Sequence, residues 1–396
     1  MSATSRASLF IMGLAAFMVS ADARVIDPLL KIIAENFHSE VAKASIVISA
    51  YTLPYGLFQL FYGPLGDRIG KLRVMAITLA LFAFGTAACA LAPNLPVLFL
   101  LRFLTGVVAA SIIPLSLGYI GDKFPYETRQ VALGRFMSAL MFGQIMSSSL
   151  GGIFGQYIGW SGIFLVFGVV ALLVSIGLGR EAKRFPEEQK SDRRFGKETL
   201  IPYRNLLTEP AARLVLIAVL IEGFFVFGGM AYLGASLRDR FHLRYDVIGL
   251  MLAAYGVGGL IYSVSVKKLV KSIGEMGILL LGGVLLSGSY IAIALITDWR
   301  LFIPFNMLLG MGFYTMHSTL QTKATEMAPK ARGTAVSLFA FSLYMGQATG
   351  APAIGRIVAT QGYAMAFEVA GIGLLLLALW ARYQFPKLKQ EAPKPA

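Results

Sequence analysis

The sequence predicts an all-α membrane protein of about twelve transmembrane helices, arranged as two pseudo-symmetric six-helix bundles. Three observations carry this: composition, the recurrence of long apolar runs, and an internal repeat. The chain has 396 residues, 57% hydrophobic and 14% charged, with a mean hydropathy of +0.70. A soluble domain carries about 25% charged residues. Lipid is therefore the solvent for most of the surface, and one apolar run follows another with no room for a sizeable soluble domain.

Apolar segments fall at roughly 8–30, 44–66, 73–92, 96–120, 129–157 and 161–180 in the first half, and at 211–235, 245–266, 276–296, 300–322, 333–357 and 363–384 in the second. Each is long enough to cross about 30 Å of hydrocarbon as a helix. Barrel strands would be about ten residues with strict alternation, a pattern the sequence lacks. The first segment has no clear cleavage site and continues as a helix-like run, so it is expected to be a span rather than a signal peptide. Residues 1–180 are expected to form one bundle and 211–385 the other. Between them, 181–210 reads as a solvated linker carrying Lys190, Arg193 and Arg194, with an amphipathic surface helix. The Lys/Pro-rich tail 386–396 is expected to be irregular.

The net charge is +14. In a soluble chain this would point to nucleic acid, but cytoplasmic loops of membrane proteins collect Lys and Arg, and no nucleic-acid partner is expected. With both termini in the cytoplasm, the inner segments hold roughly 26 Lys/Arg against about 7 outside. Cys89 is the single cysteine and lies in an apolar run, so no intrachain disulfide or metal-ligand spacing arises.

The halves repeat. An offset of 203 residues superposes Arg129 on Arg332, Gly143-Gln144 on Gly346-Gln347, Gly152 on Gly355, Trp160 on Tyr363, Phe164 on Phe367 and Gly168 on Gly371. An offset of 204 brings Tyr51 onto Tyr255 and Gly70 onto Gly274. Related halves place a substrate path between them near the bilayer midplane.

After the second segment the chain reads Gly63-Pro-Leu-Gly-Asp67-Arg68-Ile-Gly70-Lys71. Here it strongly resembles the major facilitator superfamily, whose loop signature G-x-x-x-D-R-x-G-R/K is matched by Gly63, Asp67, Arg68, Gly70 and Lys71. Gly63 is expected to admit a neighbouring helix. Asp67 can accept from a helix N-terminus, where the dipole favours an anion. Arg68 and Lys71 can pair with acids or lipid phosphates. The resemblance implies that this loop latches the halves in the outward-facing state. The corresponding loop Lys267–Gly274 lacks the aspartate, so the latch is expected on one half only.

Two further segments extend the resemblance. Arg102 and Gly106 in the fourth span match a family motif whose arginine is linked to proton coupling, with Thr105 where Gln is usual. In the fifth, Gly134, Gly143, Gly151 and Gly152 match the glycines of the drug-efflux antiporter motif, with Ser147 and Ser148 where Gly-Pro is expected. Small residues permit close helix packing.

Ionisable groups inside spans are costly and mark pathways or paired sites. Asp22 and Arg24 are two residues apart and cannot face each other on a helix, so Asp22 is expected to pair at long range, with Arg102. Asp22, Glu222 and Arg102 are the expected proton-coupling residues. Arg24, Asp27, Gln144, His317, Phe224 and Gln347 are expected to line a substrate cavity, with Phe225, Phe227 and Tyr232 as apolar walls. Glu368 is a further intramembrane acid.

The resemblance implies alternating access by rocking of two bundles and no cofactor, metal or catalytic residue. It implies a multi-pass protein of the bacterial inner membrane, monomeric, whose partners are a small-molecule substrate, protons and membrane lipids. No Walker-type glycine loop is present. The expected activity is proton-coupled efflux of a small, partly hydrophobic compound, as in the drug or sugar antiporter branch. Same-fold importers or uniporters, lipid or lysolipid transporters and a non-transporting membrane sensor remain open alternatives at this point.

Overall fold

In this computed structural model, residues 3–184, 197–326 and 332–391 are described; the linker residues Lys190, Arg193 and Arg194 lie outside them. The described residues are helical throughout, without a strand. In hydrocarbon no water satisfies a free N–H or C=O, and a helix closes these bonds within its own segment.

The chain opens with α1 (Ala3–Arg24), followed by a 3-10 turn and the short helices α2 (Leu30–Asn36) and α3 (Val41–Ala44). Next come α4 (Ile46–Ile69), α5 (Lys71–Cys89) and α6 (Leu95–Ala109), the last capped by the Asn94 side chain, which accepts from the Val97 N–H at 3.0 Å. α7 (Ile112–Lys123) continues the α6 stretch, and α8 covers Tyr126–Arg184. The second half comprises α9 (Lys197–Thr208), α10 (Pro210–Met230), α11 (Leu233–Phe241), α12 (Tyr245–Leu295), α13 (Phe302–Glu326) and α14 (Arg332–Glu391). α9 lies in the expected linker and packs Leu206 with Ala212, Leu216, Ala335 and Leu338. The expected irregular tail begins as helix instead, since α14 runs through Pro386 to Glu391.

Eight helical stretches among the described residues are long and apolar enough to cross a membrane. Three of these run 57, 51 and 54 residues. A straight helix of 50 residues would be about 75 Å long, far beyond the hydrocarbon thickness. Each is broken by one glycine with a positive φ: Gly159 (76°), Gly274 (65°) and Gly362 (85°). The α4–α5 junction turns at Gly70 with φ 102°. A side chain would strain this backbone, and glycine carries none. Gly70 and Gly274 are related by the 204 offset, and Gly159 and Gly362 by 203.

The repeat extends to the helix crossings. A Cβ on Gly143 of α8 would lie 2.6 Å from the Phe17 carbonyl oxygen of α1, and one on Gly346 of α14 would strike the Leu220 carbonyl of α10. Gly106 meets the Tyr51 carbonyl as Gly310 meets that of Tyr255. A Cβ on Gly168 would lie 2.8 Å from the Ala83 carbonyl oxygen, as one on Gly371 would lie 3.0 Å from that of Ser287. Each pair keeps the 203 or 204 offset, so the same backbone-to-backbone contacts are built twice.

The described contacts divide the chain into two units, one holding Met1–Phe195 with His242–Ala253, the other Gly196–Phe241 with Ala254–Ala396. The sequence places all of 211–385 in one bundle; the start of α12 instead packs in the first unit. Gly152 and Gly249 make this contact: a Cβ on Gly152 would come within 2.7 Å of the Gly249 Cα, and the Tyr245 N–H donates to Gln156 Oε1 at 3.0 Å.

The crossings generate a paired expectation. Gly143→Val overpacks a helix contact and is expected to cost about 1–3 kcal/mol, lowering the thermal midpoint in detergent by several degrees. Gly134→Val has no described atom within 4 Å of the added Cβ and is expected to leave the midpoint close to wild type.

Candidate functional site

Each unit buries an ionisable pair between two helices, each of which is itself packed at a glycine crossing against a third. In the first, α1 carries Asp22 and α6 carries Arg102. Arg102 Nη1 donates to Asp22 Oδ2 at 2.5 Å and Nη2 to the Asp22 carbonyl at 3.1 Å. Both side chains are fully buried. The guanidinium lies over the Tyr51 ring, 4.2 Å from its centroid, with Phe164 at 5.6 Å. A desolvated cation over an aromatic face gains from the ring quadrupole, and the Tyr51 hydroxyl in turn donates to the Val19 carbonyl at 3.3 Å. The structure thus brings together the long-range pair that the spacing predicts. Arg24 instead pairs with Asp27 at 3.2 Å. Thr105 spends its hydroxyl on the Arg102 carbonyl, 2.9 Å away in its own helix.

In the second unit, Glu222 of α10 meets His317 of α13. Glu222 Oε2 and His317 Nδ1 are 2.8 Å apart. Glu222 is fully buried, whereas the His317 side chain is 16% exposed. The imidazole stacks on Phe313 at 4.8 Å and lies 5.1 Å from Phe339. Beside the carboxylate, α10 and α14 touch: a Cβ on Gly223 would strike the Leu343 carbonyl. Glu222 Oε1 has no hydrogen-bond partner among the described residues, as is also true of Asp22 Oδ1 and Arg102 Nε. The sequence singles out Glu222 and His317 separately; their pairing across 95 residues emerges from the fold.

Of the remaining expected cavity residues, Phe224 and Gln347 flank the same α10–α14 crossing, where a Cβ on Gly346 would lie 2.7 Å from the Phe224 nitrogen and one on Gly223 3.3 Å from that of Gln347. Gln144 is exposed on α8, Gln347 is buried on α14, and Phe224 is half-buried, edge-on to Phe225 at 5.0 Å. Tyr232 is buried, its hydroxyl donating to the Ala351 carbonyl at 2.7 Å, and Glu368 is half-buried. The first unit also holds an apolar groove of about 610 Å³ between α1 and α8, lined by Leu9, Phe10, Leu14, Phe17, Phe142 and Arg135 among others.

The Asp67 segment, expected as a loop, is helical as far as Ile69 and is built around Lys71. Lys71 Nζ donates to Asp67 at 2.5 Å and to Asp122, at the end of α7, at 3.0 Å. Gly63, expected to admit a helix, has no described atom within 4 Å of an added Cβ. The close approaches fall at Gly66 and Gly118, where a Cβ would press on the Lys71 stem at 3.2 and 2.8 Å. Arg68 is exposed. In the antiporter-like motif, Gly143, Gly151 and Gly152 lie at close crossings, the Ser147 hydroxyl donates to the Gln144 carbonyl at 2.8 Å, the Ser148 carbonyl faces Gly249, and Gly134 is open.

The second unit has its own lysine between two acids. Lys323 Nζ donates to Glu275 at 2.6 Å and to Glu326 at 3.0 Å. The 204 offset maps Lys71 onto Glu275 and Asp122 onto Glu326, so the cluster recurs with the lysine moved to α13. Reading the loop alone for an aspartate misses it; scanning both helix ends at the same offset finds it.

With the geometry in hand, comparison with known proteins is direct. The model of the Major Facilitator Superfamily matches residues 12–350 and again 237–396. The chain belongs to the major facilitator superfamily. It is 27% identical over 350 residues to the uncharacterized MFS-type transporter YceJ of Bacillus subtilis, covering 86% of each chain. It is 27% identical over 390 residues to a probable sugar efflux transporter of Helicobacter pylori, covering 96% of each. Its fold resembles that of a bacterial homolog of the human lysosomal transporter Spinster, with a TM-score of 0.81, 16% identity and complete coverage of both chains. The nucleoside transporter NupG follows, with a TM-score of 0.79 and 12% identity over 96% of this chain and all of that one. Family, membrane-spanning helices and bacterial relatives together describe a multi-pass inner-membrane transporter of a small molecule.

The Asp22–Arg102 pair sets a stability expectation. Removing one partner leaves an uncompensated buried charge, at about 3–5 kcal/mol. Arg102→Leu is expected to lower the thermal midpoint sharply, and Asp22→Leu combined with Arg102→Leu to recover much of the loss. A double variant no more stable than the single one would show that the pair does not act as a unit.

Proposed function

We propose that this chain is a proton-coupled secondary transporter that exports a small, partly hydrophobic compound, drug-like or sugar-like, by alternating access. The observation that carries the proposal is a buried carboxylate in each unit, Asp22 and Glu222, on helices of the transport fold. A carboxyl group shut away from water is suited to gaining and losing a proton as its surroundings change. Arg102 completes the coupling set. Arg24, Asp27, Gln144, His317, Phe224 and Gln347 are proposed to contact substrate.

Export is favoured by the Helicobacter pylori relatives, which carry the name of probable sugar efflux transporters along nearly their whole length. Twelve spans in two six-helix bundles fit the helices: three of the eight apolar stretches are doubled at a glycine, and α13 adds one of 25 residues. Both termini would then lie on the cytoplasmic side, where the positive charge collects. The lysine–carboxylate clusters at the Asp67 loop and at Lys323 would steady the cytoplasmic helix ends during the cycle. The protein acts as a monomer in contact with membrane lipids.

In proteoliposomes carrying a pH-sensitive dye, substrate addition is expected to drive proton movement through wild type. Asp22→Asn or Glu222→Gln is expected to abolish it. Normal coupling in both variants would sink the proposal.

A further inference from the structure

We infer that His317 is the proton-entry group of Glu222, the two forming a relay in which the imidazole carries protons between the aqueous side and a carboxylate that water does not reach. This rests on the proton-coupled reading and assigns its exchangeable proton to one place. The argument begins with access. Glu222 is fully buried, so a proton arriving there must pass through a neighbouring group. Its described hydrogen-bond partner is His317, which keeps partial exposure. The imidazole is held between Phe313 and Phe339, which fix the ring plane and direct Nδ1 at Oε2.

The other buried pair lacks this chemistry. Arginine keeps its proton across the physiological range, whereas the unperturbed histidine titrates near pH 6.5. Asp22 and Arg102 are both fully buried, so that pair offers neither an exchangeable cation nor an exposed entry. Within the proposed coupling set, Glu222–His317 is therefore the pair with a partly exposed ionisable member through which a proton can enter, while Arg102 holds Asp22 between α1 and α6.

The surroundings of the relay are apolar or neutral. α14 presents Phe339, Leu343 and Gln347, and α12 contributes the phenols Tyr255 and Tyr290 nearby. Among the described residues, His317 is the ionisable side chain within hydrogen-bond distance of Glu222. Lys323 on the same helix is engaged with Glu275 and Glu326.

The step balances without a co-reactant. A solvent proton binds Nε2 of the neutral ring, giving an imidazolium. The Nδ1 proton passes to Glu222 Oε2, leaving a neutral carboxyl and the Nε2–H tautomer. In the reverse direction the Oε2 proton returns to Nδ1 and the Nε2 proton leaves. The pair alternates between one net negative charge and none.

The test uses the full chain in nanodiscs with protons as the probe. Infrared difference spectra across about pH 5–8 follow the protonated-carboxyl band, assigned to Glu222 by its loss in Glu222→Gln. His317→Gln is expected to move the midpoint of that band by about one pH unit or more and to slow its appearance after a pH jump about tenfold. Nitrogen-15 histidine NMR of wild type requires no variant to fold: the His317 signal, distinguished from His38 and His242, is expected to titrate together with the band. A band that titrates with unchanged midpoint and rate in His317→Gln, or a His317 signal that stays fixed while the band titrates, overturns the relay and leaves the proton-coupled reading standing. Absence of any Glu222 band across the range overturns the relay and removes Glu222 from that reading as well.

Discussion

Backbone contact at glycine crossings is the interaction on which the rest of this structure depends. In lipid, apolar side chains gain little by leaving one apolar neighbour for another, so helices associate through close packing. Here the packing reaches the main chain itself, at Gly143 on Phe17, Gly106 on Tyr51, Gly346 on Leu220 and Gly310 on Tyr255. Each helix that carries a buried ionisable group is held at one such crossing: α1 by α8 at Gly143, α6 by α4 at Gly106, α10 by α14 at Gly346 and α13 by α12 at Gly310. Larger residues at the crossings would overpack these contacts and push each helix off its neighbour.

The two units solve the same packing problem and diverge in chemistry. Their crossings coincide at offsets of 203 and 204, yet the buried ions do not. Phe225 stands at the position related to Asp22, and Val19 at that related to Glu222. One unit carries a carboxylate and a guanidinium, the other a carboxylate and an imidazole. The lysine clusters show the same freedom: each unit holds one ammonium between two carboxylates, but the lysine comes from α5 in one and α13 in the other. Duplicated architecture conserves where helices touch and leaves open which side chains occupy the space between them.

Much of the fold was legible because lipid imposes a one-dimensional rule. Runs of about 20 apolar residues mark helices wherever they occur, and the repeat is a matter of counting. The Asp22–Arg102 pair was legible too, since an intramembrane charge demands a partner and the adjacent Arg24 points elsewhere. The signature gives residue types without directions, so it did not reveal that Gly66 and Gly118 leave room for the Lys71 stem. Apolar periodicity is silent on which helix a small-residue face will meet, and so did not foresee that Gly249 at the start of α12 meets Gly152 of α8.

The sequence by itself determined the solvent, the helices and the presence of ions that must be neutralised. Those follow from local composition and from the cost of exposing charge or backbone to hydrocarbon. Only the tertiary structure decided that Glu222 meets His317 rather than another polar group, and that Lys323 gathers Glu275 and Glu326. Such pairings join residues on separate helices, and their partners are chosen by helix rotation and crossing point, which a linear pattern of polar and apolar residues does not specify.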